Sequence, residues 1–164
     1  MRLAGCTLSG NSGGINDGGI YSWTEAESPL ARMTLVNCTL AGNSASIGGG
    51  ILGVDSVATL TNCTLNANSG GGGLAFVGGD LALANSVIAN STPKNCAIAG
   101  DPITDGGHNL QWPGTDCGST IPSLDPSLDP SGLQDNGGPT QTIALLRDSP
   151  AIDAGDPECA RACR

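Results

Sequence analysis

Aliphatic residues recur along the chain in short alternating runs, Met33-Thr34-Leu35-Val36-Asn37, Val57-Ala58-Thr59-Leu60-Thr61-Asn62 and Asp80-Leu81-Ala82-Leu83-Ala84-Asn85. These runs are too short for helices and rich in residues that suit a pleated surface, so they read as strands. They lead into an octad that returns three times: Gly5-Cys6-Thr7-Leu8-Ser9-Gly10-Asn11-Ser12, Asn37-Cys38-Thr39-Leu40-Ala41-Gly42-Asn43-Ser44 and Asn62-Cys63-Thr64-Leu65-Asn66-Ala67-Asn68-Ser69. A fourth, shorter copy, Asn85-Ser86-Val87-Ile88-Ala89-Asn90-Ser91, carries Ser in place of Cys. Gly18-Gly19-Ile20, Gly49-Gly50-Ile51 and Gly72-Gly73-Leu74 follow the octads. A unit of about 23 to 25 residues that repeats in this way is one rung of a stack. Three short strands and three turns per unit make it one coil of a parallel β-helix.

The register follows from one conflict. Strict alternation through Leu60-Thr61-Asn62-Cys63-Thr64-Leu65 puts Leu60 and Leu65 on opposite faces, although both are core residues by type. A bend at Asn62 resolves this, because Asn tolerates the left-handed backbone of a sharp corner. Asn37, Asn62 and Asn85 are then expected to form an inward amide ladder, with Cys63 and Leu65 inward and Thr64 outward. Residues 1–92 are the rungs. Residues 93–164 read as irregular terminal coils and loops of the same solenoid, with late strands at 141–146 and 151–153. Between Ile20 and Cys38 the spacing is longer than in later units, which places an extra loop with residues 22–29 as its body.

Composition agrees with a stack of short aliphatic side chains. The chain of 164 residues has 26 Gly, 10 Pro and only 13% charged residues, and its aromatics are Tyr21, Trp23, Phe76 and Trp112. A formal charge of −9 with six Lys and Arg leaves no basic stripe for phosphates, which argues against nucleic acid and against anionic membranes. No stretch approaches the roughly 20 apolar residues that span a bilayer. The first octad starts at once, without room for a secretory leader, which read literally means cytoplasm. Because the first rung has no polar cap above it, the chain reads instead as a piece of a longer exported protein.

Seven cysteines invite a chemical reading. Cys6, Cys38 and Cys63 share one repeat position and should stack at the strand spacing of roughly 4.8 Å, longer than a disulfide allows, so they read as free buried thiols. Cys96, Cys117, Cys159 and Cys163 lie in loop-rich sequence, where a Cys96 to Cys117 bridge would staple a long excursion. With His108 the only histidine, a Cys/His metal site is not expected. Asp125, Asp129 and Asp135 are a weak Ca²⁺ candidate set, because they lack the Gly-spaced pattern of a dedicated loop. Glu25 and Glu27 beside Tyr21 and Trp23 are the best cleft for a carbohydrate, since rings stack on sugar faces and paired acids transfer protons. Thr7, Thr39 and Thr64 form an outward column similar in kind to the Thr ladders of ice-binding solenoids.

The octads with Gly-Gly-Ile, followed by Gly107-His108-Asn109-Leu110, Leu133-Gln134-Asp135-Asn136-Gly137-Gly138-Pro139-Thr140-Gln141-Thr142 and Ser149-Pro150-Ala151-Ile152-Asp153-Ala154-Gly155, resemble the bacterial choice-of-anchor Q proteins and the repeats of polymorphic outer-membrane proteins. The resemblance implies an all-β, right-handed parallel β-helix at the cell exterior, supports pairing Cys96 with Cys117, and transfers no catalytic residues. Cys159 and Cys163 remain a second candidate pair. The expectation is a non-enzymatic structural or adhesive module that binds polysaccharide or a cell-surface partner through its loops, without a cofactor. A β-helix lyase or hydrolase is the alternative, ice binding the third reading, and end-to-end stacking on a second copy a further option.

Overall fold

A computed structural model describes residues 1–16, 18–25 and 28–157. The first coil carries β1 (Arg2–Ala4) and β2 (Thr7–Ser9), and the second β3 (Ile20–Trp23), β4 (Ala31–Val36), β5 (Thr39–Ala41) and β6 (Ser44–Ala45). Next come β7 (Ile51–Thr61), β8 (Thr64–Asn66), β9 (Ser69–Gly70), β10 (Leu74–Ala84) and β11 (Val87–Ala89). A last coil is made by β12 (Cys96–Ala99), β13 (Thr104–Asp105) and β14 (Leu110–Trp112). Every pairing among these strands is parallel, and the coils stack as a β-solenoid of about four turns.

The register is that of the repeat. Thr39 pairs with Thr7 and Thr64, and Val87 with Thr64 and Leu110. Each aliphatic position therefore stacks on its own kind, with Leu35, Leu60 and Leu83 in one buried column and Leu40, Leu65 and Ile88 in another. This core needs no large rings, since Phe76 is its only aromatic member among the described residues.

The corner that leads into β2, β5, β8 or β11 is a single residue in the left-handed region, Gly5, Asn37, Asn62 or Asn85; in the last coil, before β14, Gly107 and His108 both have positive φ. The predicted bend is there, but the inward ladder is not. Asn37 is exposed while Asn62 and Asn85 are half-exposed, and Asn62 donates Nδ2 to Asn37 Oδ1 at 3.0 Å on the outside. The physical reason lies in the corner itself. A left-handed residue turns the chain so that both it and its predecessor lie outside, which restores the inward parity at Cys38 and Cys63.

The inward amide ladder stands at the next corner, after Gly10, Gly42 and Ala67, each also left-handed. Asn43 and Asn68 are fully buried. Asn68 Oδ1 accepts the backbone N–H and Nδ2 of Asn43 at 3.0 Å each, and Asn43 Oδ1 accepts the same two groups of Asn11 at 3.1 and 2.9 Å. Nδ2 of Asn68 and of Asn43 also reach back to Leu40 O and Leu8 O. The third corner is made by the Gly pairs because the coils touch through their backbones there: a Cβ on Gly49 would lie 2.2 Å from Ser69 O.

The sequence reading carries coils of the same stack to the end of the chain, and here the strands differ. After β14 the chain folds over the end of the stack and then forms an antiparallel hairpin, β15 (Leu128–Gln134) and β16 (Thr142–Leu145). Residues 151–153 are a turn rather than a strand. The last coil gives up the aliphatic column to a polar cap. Buried Gln111 donates Nε2 to Gly118 O and Ile121 O at 2.7 Å each and accepts Cys117 N–H at 2.9 Å. The Cys96–Cys117 disulfide ties β12 to this cap.

The two ladders differ in burial and so in cost. Asn68→Ala leaves the buried Asn43 N–H without its acceptor and removes the amide bonds to Asn43 Nδ2 and Leu40 O, and should cost about 3 kcal/mol or more. Asn62→Gly keeps the corner geometry and loses an exposed contact, with an expected change below about 1 kcal/mol. Urea midpoints of the two variants check this; equal losses would contradict the assignment of the inner ladder.

Candidate functional site

Tyr21 and Trp23 both fall on strand β3, so Trp23 is not in the inserted loop. Ile20–Trp23 pairs with Ile51–Val54, and Ala31–Val36 pairs with Ser56–Thr61. Asp55 alone separates their partners on β7, so the extra loop begins after Trp23 rather than at Ser22, and both aromatics stand on a sheet face. Alternation sends Ile20 into the core and Tyr21 and Trp23 outward, 42% and 52% exposed. In register with Trp23 lie Val54, Val77 and Ala99, so an aromatic side chain heads an aliphatic row that crosses four strands. Val77 is exposed and Val54 half-exposed.

Glu25 lies just beyond this row, exposed, with its carbonyl accepting the Ser28 N–H at 3.1 Å. Glu27 lies outside the described residues, so the expected carboxylate pair is represented by Glu25. Cys159 and Cys163 also lie outside them.

The Cys column is as read from the repeat. Cys6, Cys38 and Cys63 are unbridged, Cys38 and Cys63 buried and Cys6 half-buried at the open end. Each directs Sγ at the carbonyl two residues before it, Ala4, Val36 and Thr61, at 3.3 to 3.4 Å. A hydrogen bond shared with the Cys38 thiol, and then burial, push the Cys63 thiol far above its ordinary value. Asp125, Asp129 and Asp135 each cap a turn, accepting the N–H of Ser127, Ser131 and Gly137 at 2.8 to 3.0 Å. They are spread along the hairpin region, and no group of three acidic, Cys or His side chains suited to a metal ion forms among the described residues.

The Thr column does point outward, but the hairpin lies across it. Thr7 Oγ1 donates to Gln141 O at 2.6 Å, and Thr39 is buried. Further along the stack the column becomes Thr64, Val87 and Leu110, and here hairpin and sheet stand apart around a cleft of about 660 Å³. Val87 and Leu110 form its floor, Leu128, Ile143 and Leu145 its roof.

One end of the cleft is polar because the corner residues Asn85 and His108 point outward into it. His108 Nδ1 lies 2.7 Å from Ala154 O, and Asn85 Oδ1 accepts the Asp156 N–H at 3.0 Å, so both corners also hold the returning chain. Asp105 completes this end. Burial works to raise its pKa, but hydrogen bonds from Asn109, Gly107 and Thr120 outweigh it and hold the carboxyl below the ordinary range. The sequence carries one signal for this site: His108 falls at the corner position of a fifth, altered octad.

Compared with family models, with curated proteins and with solved structures, the chain matches none. No helix among the described residues is long and apolar enough to cross a membrane.

The thiol geometry sets a reactivity order. Iodoacetamide on the native protein should modify Cys6 well before Cys38 and Cys63, which react only on unfolding, as peptide mapping would read. Because the Cys63 pKa is raised in the fold, its stabilising contribution is complete below the ordinary thiol value of 9.0 and is lost as pH rises above it. Unfolding free energy should fall above pH 9 by up to about 1.4 kcal/mol per unit, and Cys63→Ala should flatten that slope.

Proposed function

We propose that this chain is a non-enzymatic structural and adhesive module of a bacterial surface or secreted protein, and that it holds polysaccharide on the β3 face. The observation that carries this reading is the outward row of exposed Trp23 and Val77 with half-exposed Val54 between them and Tyr21 beside it. Two rings held on one strand present flat apolar surface at low entropic cost, and sugar faces stack on such rings. Parallel coils extend the face along the stack axis, which suits a linear polymer better than a small molecule.

The Cys96–Cys117 disulfide fits a protein that works outside a reducing compartment. Resemblance to the choice-of-anchor Q proteins points to the cell exterior in the same way. The core side chains are committed to packing and ladders, and no buried side-chain polar atom among the described residues lacks a partner. Such a scaffold is stiff, which favours display of a surface.

Calorimetric titration against a polysaccharide panel tests the proposal. Trp23→Ala should weaken binding about tenfold or more, Tyr21→Ala less, and neither should move the unfolding midpoint. Binding untouched by both substitutions would sink it. Polymer turnover that disappears in Glu25→Gln would transfer the protein to the lyase or hydrolase reading.

A further inference from the structure

The cleft under the C-terminal hairpin is unconnected with the β3 face and calls for its own occupant. Its volume, about 660 Å³, lies within the range of roughly 300 to 1,000 Å³ typical of small-ligand sites. The long walls are aliphatic, from Val87 and Leu110 below and Leu128, Ile143 and Leu145 above. An aromatic platform for a sugar is missing among the described lining residues, so the body of a ligand must be apolar.

The polar end specifies the rest. With Ala154 O as its partner, His108 Nδ1 carries the ring hydrogen, which leaves Nε2 of the neutral ring an acceptor. Asp105 Oδ1 accepts Gly107 N–H at 2.9 Å and Asn109 Nδ2 at 2.8 Å, and a carboxylate offers further acceptor sites beyond these two. The hydrogen bonds that hold Asp105 come from neutral donors, so no cation among the described residues accounts for its charge. An imidazole acceptor and a carboxylate at one end of an apolar trough ask for several N–H donors and a positive charge.

We propose that this cleft is a binding site for a small amphiphile with a protonated primary amine on an apolar body. The ammonium is held by Asp105 and His108, and the hydrocarbon lies between the sheet and the hairpin. Asp105 supplies the choice of charge and the aliphatic walls supply most of the affinity.

The test uses n-octylammonium and octanoate, which share a tail and differ in the sign of the head. Titration of the whole chain, followed by calorimetry and by amide chemical shifts, should show n-octylammonium binding about tenfold tighter than octanoate, with shifts centred on Val87, Leu110 and Ile143. Asp105→Asn keeps an oxygen for Gly107 and Asn109 and so keeps the fold, yet it should erase the preference for the cation. Val87→Trp, outward on the sheet, should fill the trough and abolish binding of both probes.

The acidic chain as a whole attracts cations, so the Asp105→Asn arm separates the site from that background. A preference that survives Asp105→Asn overturns the proposal. So does equal affinity for the two probes, shifts that map elsewhere, or no binding of n-octylammonium at millimolar concentration.

Discussion

A left-handed residue at two of the three corners of each coil is the constraint on which the rest of the structure depends. Gly5, Asn37, Asn62, Asn85 and His108 hold this conformation at one corner, and Gly10, Gly42, Ala67 and Asn90 at the next. The turn takes one residue, so the strands on either side keep their core faces joined and the columns of Leu and Cys run unbroken through the stack. Most L residues resist that backbone region, by roughly 1 kcal/mol or more. Gly and Asn resist it least, which is why the octad begins and nearly ends on them. The corner is also where side chains face out, and that is how Asn85 and His108 come to line a cleft.

How much of this could be read from sequence depended on repetition. The coil, its three strands, the buried thiol column and the corner at Asn62 were all legible, because each recurs at a fixed offset and a stack forces like onto like. The direction of Asn37, Asn62 and Asn85 was not. Counting alternate residues assumes a continuous strand, and the corner places Thr61 and Asn62 outside in succession. The true inner amides, Asn43 and Asn68, had a signal in the Gly or Ala that precedes them, since a small or left-handed residue there marks a second corner.

The terminal region was hard to read for a different reason. Thr142-Ile143-Ala144-Leu145 says that a strand exists but not what it lies on, and its contact with Thr7 joins positions 134 residues apart in the chain. Gln111 falls at the position of Leu65 and Ile88, where a polar side chain looks like an error in the pattern. The pattern ends there because the stack ends there, and the amide seals it. In the same way Trp23 reads as a loop residue, because the spacing from Ile20 to Cys38 shows that residues are inserted but not where the strand gives way to them.

Only the coils at Thr64, Val87 and Leu110 supply the sheet side of the cleft, whereas the aromatic row starts one coil earlier. The two surfaces thus occupy different lengths of one axis. A gene that gained or lost an entire unit between Thr7 and residue 62 would lengthen or shorten the outer face, but it would also shift the coil on which the hairpin is held through Gln141. The hairpin thus ties the length of the stack to the cleft beneath it.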